Sequence, residues 1–266
     1  MTRMDRRHFL RTSILGCACC MGAAGVARAE AAHKAAAPAG HGGAAHWEYS
    51  GAVGPEHWGD LRPDFKACKL GLEQTPLNLA YSVKGDTGAI EFNYSAQALK
   101  VINNGHTIQV EGMKSSDIVV SGERYSLAQF HFHHPSEHLL SGKPFDMELH
   151  LVHKSAAGAL AVVGVFIKAG ARSAALAPVF DNMPAQESGS ADISGFNPAD
   201  LLPHDRGYFR YMGSLTTPPC SEGVVWSVFR EPVEASADQI RRFANLYPVN
   251  ARPAQRQNTR FLIENN

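Results

Sequence analysis

Gln129-Phe130-His131-Phe132-His133 sets aromatic and polar residues in strict alternation. Side chains along a β-strand point to opposite faces in turn, so His131 and His133 share one face about 7 Å apart while Phe130 and Phe132 share the other. The aromatic face belongs to a core, and the imidazole face is left for chemistry. Further on, Glu148-Leu149-His150 places Glu148, His150 and Val152 on one face of a second strand and Leu149, Leu151 and His153 on the other. If the two strands are neighbours and His150 joins the imidazole face, three ring nitrogens converge and leave a fourth position open, as in a catalytic zinc site. A zinc-bound imidazole needs an acceptor for its second ring N–H. Gln129 and Glu148, each two residues ahead of a candidate ligand, are suited to that task. The bland alternative is that His-x-His is simply strand composition, and His134, His138 and His153 are histidines the pattern does not use.

Around this pair, short β-type runs follow one another at residues 90–94, 99–103, 107–111, 118–120 and 127–133. Turn signals such as Asn103-Asn104-Gly105 and Ser121-Gly122-Glu123 separate them, as expected of antiparallel neighbours. Residues 145–153 and 160–168 are longer, and the second run is apolar almost throughout, which predicts a central strand buried on both faces. Helical signals are few: residues 173–183, and residues 240–246 behind the capping-box pattern Ser236-Ala237-Asp238-Gln239. The residues themselves support a single β-rich domain over 46–266 with peripheral helices.

Of the 266 residues, 25 are basic and 25 acidic with no long single-sign run, which speaks against nucleic acid or an anionic membrane as partner and for a small substrate. Residues 1–29 read as a cleaved export signal. Arg6-Arg7 resembles the twin-arginine class, although Asp5 departs from the usual Ser or Thr; a short apolar stretch follows, then Ala27-Arg28-Ala29. The apolar run is too short for a membrane anchor, so no integral segment is expected in the mature chain. A lipoprotein site at Cys17 is a further alternative. Residues 30–45 are an Ala- and Gly-rich flexible leader. Cys17, Cys19 and Cys20 leave with the signal, which leaves Cys68 and Cys220. In an oxidising compartment an isolated pair reads as a disulfide; two separate buried thiols are the alternative.

Three blocks decide more than the histidine spacing does. Residues 129–138, residues 148–153 and Gly213-Ser214-Leu215-Thr216-Thr217-Pro218-Pro219-Cys220 together resemble the α-class carbonic anhydrases of the exported bacterial type, over about residues 46–260. The resemblance implies a mainly β (α+β) fold, a large, mostly antiparallel twisted central sheet with short peripheral helices. It implies Zn2+ held by His131, His133 and His150, and reversible hydration of carbon dioxide to bicarbonate. In that family the pKa of the zinc-bound water is about 7, an established family value rather than one inferred from this chain. Thr216 matches the family's gatekeeper threonine, with Glu137 as the acceptor of its hydroxyl proton, and His106 matches the proton shuttle. Tyr49, Asn104 and Gln109 match positions that hold the water chain, Gln109 differing from the asparagine frequent there. Val152, Val162, Leu215 and Trp226 match the apolar wall for CO2, with Thr217 beside them at the substrate. Cys68 and Cys220 match the bacterial disulfide, which would brace the loop carrying Thr216.

The implied setting is periplasmic or secreted, as monomer or homodimer. Two other readings are a non-catalytic zinc-binding or interaction module of the same fold and a zinc hydrolase with esterase activity. All three histidines, Thr216 and Glu137 are present, which opposes the first, and no His-Glu-x-x-His occurs to favour the second.

Overall fold

A computed structural model describes residues 46–265. The expected export signal, the leader and the Cys17 alternative lie outside the described residues. Strands in chain order are β1 (Asn78–Leu79), β2 (Val83–Lys84), β3 (Glu91–Asn93), β4 (Gln97–Asn103), β5 (Ile108–Glu111), β6 (Asp117–Val120), β7 (Glu123–His133) and β8 (Leu139–Leu140). They continue as β9 (Met147–Ser155), β10 (Leu160–Ala169), β11 (Ser190–Phe196), β12 (Tyr208–Ser214), β13 (Glu222–Phe229), β14 (Val233–Ala235) and β15 (Ile263–Asn265). The helices are α1 (Trp58–Leu61), α2 (Ala67–Leu70), α3 (Ala177–Phe180) and α4 (Ala237–Leu246).

One large sheet runs in the order β11-β4-β5-β7-β9-β10-β13-β12-β15-β2, with β14 beside β10 and the β3–β6 pair beside β7. Most pairings are antiparallel, but β10 pairs parallel with both β13 and β14, and β15 with β2, so the sheet is mixed. The two strands that carry the histidines, β7 and β9, are adjacent and central.

β10 is apolar on both faces because both are covered. Val162 and Phe166 pack with Trp226, Tyr211 and Leu77, while Ala161, Val163, Val165 and Ile167 join the larger core on the other side. That larger core takes Phe130, Phe132, Leu149 and Leu151 from the backs of the histidine strands and closes them under Phe180 of α3 and Phe243 of α4. α4 starts with the expected capping box, Ser236 Oγ accepting from Gln239 N while the Gln239 side chain accepts from Ser236 N. The helix expected over 173–183 shrinks to α3. Pro178 stands at its first turn and Pro184 follows soon after, so neither side can be extended.

Candidate metal centre

A bulge in β7 creates the face on which the site is built. By simple alternation Leu127 would point with Gln129, His131 and His133, yet it packs in the core with Phe130 and Phe132. The register with β9 shifts between Leu127 and Gln129, so one extra residue, Ala128, turns the strand over. Beyond the bulge His131 stands directly opposite His150 and His133 opposite Glu148. The ring centroids lie 5.0 Å (His131–His133), 5.3 Å (His131–His150) and 4.6 Å (His133–His150) apart. One nitrogen from each ring falls within 4.8 Å of the others.

Each ring is held by the nitrogen it does not offer. Gln129 Oε1 accepts from His131 Nδ1 at 2.8 Å, the Asn250 carbonyl accepts from His133 Nδ1 at 2.7 Å, and Glu148 Oε1 accepts from His150 Nε2 at 2.9 Å. The tautomers are thereby set, and His131 Nε2, His133 Nε2 and His150 Nδ1 carry the free lone pairs. Burial pushes the pKa of His131 well down, and repulsion from His133 and His150 adds to it. Burial also lowers that of His133, against the pull of Glu137. Neutral imidazoles are what a metal requires. His133 Nε2 and Glu137 Oε2 are buried without a hydrogen-bond partner among the described residues, 3.5 Å apart, with His150 Nδ1 3.8 Å from the same carboxylate oxygen. Buried polar atoms are rarely left unsatisfied. A divalent cation of zinc's donor preference fits this set.

Glu148 is the anchor below the ligands. Its Oε2 accepts from the backbone N–H groups of Glu137 and His138, and its Oε1 accepts from the side chains of His138 and His150. Burial opposes its ionisation, but the electrostatic pull and hydrogen bonds of the His138 and His150 rings hold its carboxyl well below the usual range. His138 is fixed in turn by the Tyr211 hydroxyl at 2.6 Å. Gly164, directly opposite His150 on β10, leaves the space this carboxylate needs: a Cβ there would meet Glu148 Oε1 at 3.1 Å.

A cavity of about 110 Å³ opens from His131 and His133 past Gln129, Gln109 and Thr217 toward Tyr49, Asn104 and His106. His106 follows a turn in which Gly105 takes φ +87°, and Asn104 Oδ1 accepts from the N–H groups of His106 and Thr107. Its ring stacks on Trp47 at 3.8 Å, and burial lowers its pKa.

Comparison with known proteins agrees with this geometry. The family model described as Eukaryotic-type carbonic anhydrase matches residues 53–266. The chain belongs to this family. The carbonic anhydrase of Nostoc sp. is 45% identical over 215 residues, which are 78% of this chain and 81% of that protein. That of Klebsiella pneumoniae is 41% identical over 212 residues, 78% and 86% of the two chains. The solved α-carbonic anhydrase of Thermovibrio ammonificans, in complex with the inhibitor sulfanilamide, superposes with a TM-score of 0.81 at 44% identity. It covers 83% of this chain and 100% of its own.

Several of the residues singled out from the sequence lie near one another. Val152, Val162 and Trp226 stand in register across β9, β10 and β13, Leu215 packs against them, and the Trp226 ring is 4.9 Å from that of His150. Cys68 and Cys220 are joined, and the Cys220 N–H donates to the Thr217 carbonyl, closing the turn that directly follows Thr216. The expected Thr216–Glu137 hydrogen bond is not formed: Glu137 Oε1 takes the Arg252 N–H at 2.8 Å and Oε2 has no donor.

Five contributors escaped the sequence reading. Asn250 acts partly through its backbone carbonyl, which leaves no side-chain signal, while its amide bonds the carbonyls of His106 and Phe132. His138 was set aside as a spare histidine, although Glu148 ten residues on pairs with it. Trp47 and Gly164 carry no metal-like pattern. Arg252, far along the chain, donates through its guanidinium to Gln74, Thr75 and the Cys68 carbonyl, tying the disulfide to the Glu137 segment.

Proposed function

We propose that this protein is a zinc enzyme that interconverts carbon dioxide and bicarbonate. The observation that carries the reading is the set of three imidazoles, His131, His133 and His150, each with one nitrogen engaged by a hydrogen bond and the other within 4.8 Å of its two counterparts. When bound, zinc supplies a Lewis acid that brings the pKa of a water to about 7, the value established for this family.

The chain's own residues then have defined tasks. Glu137 Oε2 is a buried acceptor awaiting a donor, and the Thr216 hydroxyl is the donor we assign to it. Once its proton is so committed, the Thr216 oxygen accepts from the attacking nucleophile and turns the nucleophile's lone pair toward the substrate; orientation is the gain. Val152, Val162, Leu215 and Trp226 exclude water on the His150 side and offer an apolar surface to a molecule without a net dipole, with Thr217 at its edge. The released proton travels past Tyr49, Asn104 and Gln109 to His106, whose imidazole passes it to buffer. The N-terminal signal and the disulfide support a place in the periplasm or outside the cell, reached by the twin-arginine route.

The test is stopped-flow CO2 hydration by the purified protein with zinc, after chelation, after zinc return, and in His150→Ala. Activity should vanish on chelation, return with zinc, and fall roughly a hundredfold or more in the variant. Folded, zinc-loaded protein without hydration activity would leave a metal-binding module and overturn the reading.

A further inference from the structure

Tyr208, Arg210 and Met212 alternate onto one face of β12, opposite Phe209 and Tyr211. Ile263 on β15 is Arg210's direct partner, and Val83 on β2 is Ile263's, so this face lies at one edge of the sheet. A cavity of about 360 Å³ opens here, its lining including Arg210, Met212, Phe261 and Ile263 together with the charged pair Glu73 and Arg260. It is separate from the cavity of the histidines, and its apolar members are conspicuously uncovered: Met212 is 42% and Phe261 75% exposed.

Arg210 is the unusual member. It is only 8% exposed, yet its guanidinium makes a single hydrogen bond, Nη2 donating to the Tyr208 hydroxyl at 3.2 Å, and its Nε is buried without a partner. That hydroxyl gives its own proton to the Gly88 carbonyl. The Tyr208 ring lies 5.0 Å from the guanidinium carbon, a contact that supplies no acceptor in the plane of the fork. Among the described residues no carboxylate lies within ion-pair distance of Arg210. Arg260, in the same cavity, is the contrast: it spends its donors on the carbonyls of Gln257, Met212, Gln74 and Arg256. A guanidinium stays charged when buried, and a buried charge is tolerated best with a partner. Its planar fork matches a carboxylate.

We propose that this cavity binds a small amphipathic monocarboxylate, its head group on Arg210 and its apolar body against Met212, Phe261 and Ile263. Octanoate is the probe, titrated calorimetrically into the zinc-loaded protein beside acetate, which has the charge without the tail, and octan-1-ol, which has the tail without the charge. Octanoate should saturate one site at least about tenfold more tightly than either. Arg210→Gln should weaken it by at least about tenfold, with melting temperature and CO2 hydration unchanged. Met212→Glu, at an exposed position, should abolish it by placing a second carboxylate in the lining, two residues along β12 from Arg210 and on the same face, and this variant decides the matter if Arg210→Gln does not fold. Binding unaffected by both substitutions would place the carboxylate at the metal centre. Equal affinity for octan-1-ol would leave an apolar cavity only. A dimer that dissociates in Phe261→Asp would assign the patch to a second copy of the chain. Each of these three results, like the absence of saturable binding, overturns the proposal.

Discussion

His133 was legible in the sequence as a ligand, but its orienting partner was not, because that partner is a carbonyl 117 residues away. The same division holds across the centre. Gln129 and Glu148 could be read because strand alternation puts them beside their histidines, whereas His138 and Asn250 reach the site through the folding of other segments. Glu148→Gln tests how much the anchor matters. The variant keeps the size of the side chain but loses the charge that faces His138 and His150, so zinc affinity should fall about 10- to 100-fold in a competition titration with a chromophoric chelator. For His106, replacement by Ala should slow CO2 hydration in weak buffer, with recovery on adding imidazole. Turnover that is unchanged in weak buffer would remove His106 from the proton path.

Among the elements, β9 and β10 were read within two residues of their observed limits because their apolar and polar periods are strong, whereas β7 begins four residues before the expected start. The bulge at Ala128 was not read, since an inserted residue leaves the composition untouched and shows only as a register shift. The parallel pairing of β10 with β13 was likewise hidden, because pairing direction is set by the path of the chain between strands rather than by either strand's residues. α3 shows the opposite failure: an Ala-rich run promised a helix that its prolines cut short. Gly164 belongs at this level, because it is the neighbouring strand's concession to Glu148. Gly164→Ala would force its Cβ to 3.1 Å from Oε1 of a carboxylate whose two oxygens together accept four hydrogen bonds, and within 3.3 Å of Val228. It should cost about 1–3 kcal/mol in denaturant unfolding and weaken zinc binding as well. Stability and zinc affinity both equal to those of the parent protein would show that β10 gives way freely.

For the whole molecule, the Cys68–Cys220 bridge closes a loop of 152 residues, and replacing both cysteines by Ser should lower unfolding stability by about 2–5 kcal/mol. Because Cys220 also closes the turn that directly follows Thr216, activity should fall at temperatures where the variant is still folded. Stability also depends on pH through His153, on the core side of β9. It donates from Nδ1 to the Ala161 carbonyl and accepts at Nε2 from the Tyr94 hydroxyl, an arrangement that suits the neutral ring. Burial lowers its pKa from 6.5 to about 4. The unfolded chain therefore binds the extra proton first, so this contribution is complete above about pH 6.5 and is lost as pH falls toward 4. The loss is on the order of 3 kcal/mol. His153→Gln should flatten that slope in acid unfolding curves, and an unaltered slope would place the acid sensitivity elsewhere. Asn250 carries a consequence of a different kind. His131, His133 and His150 all precede Asn250, whose carbonyl aims His133 from 117 residues further along the chain. A growing chain thus holds three histidines before it holds a centre, and tight metal uptake marks the moment when the Asn250 segment has docked. Zinc retention is thereby a report on the folding of that segment.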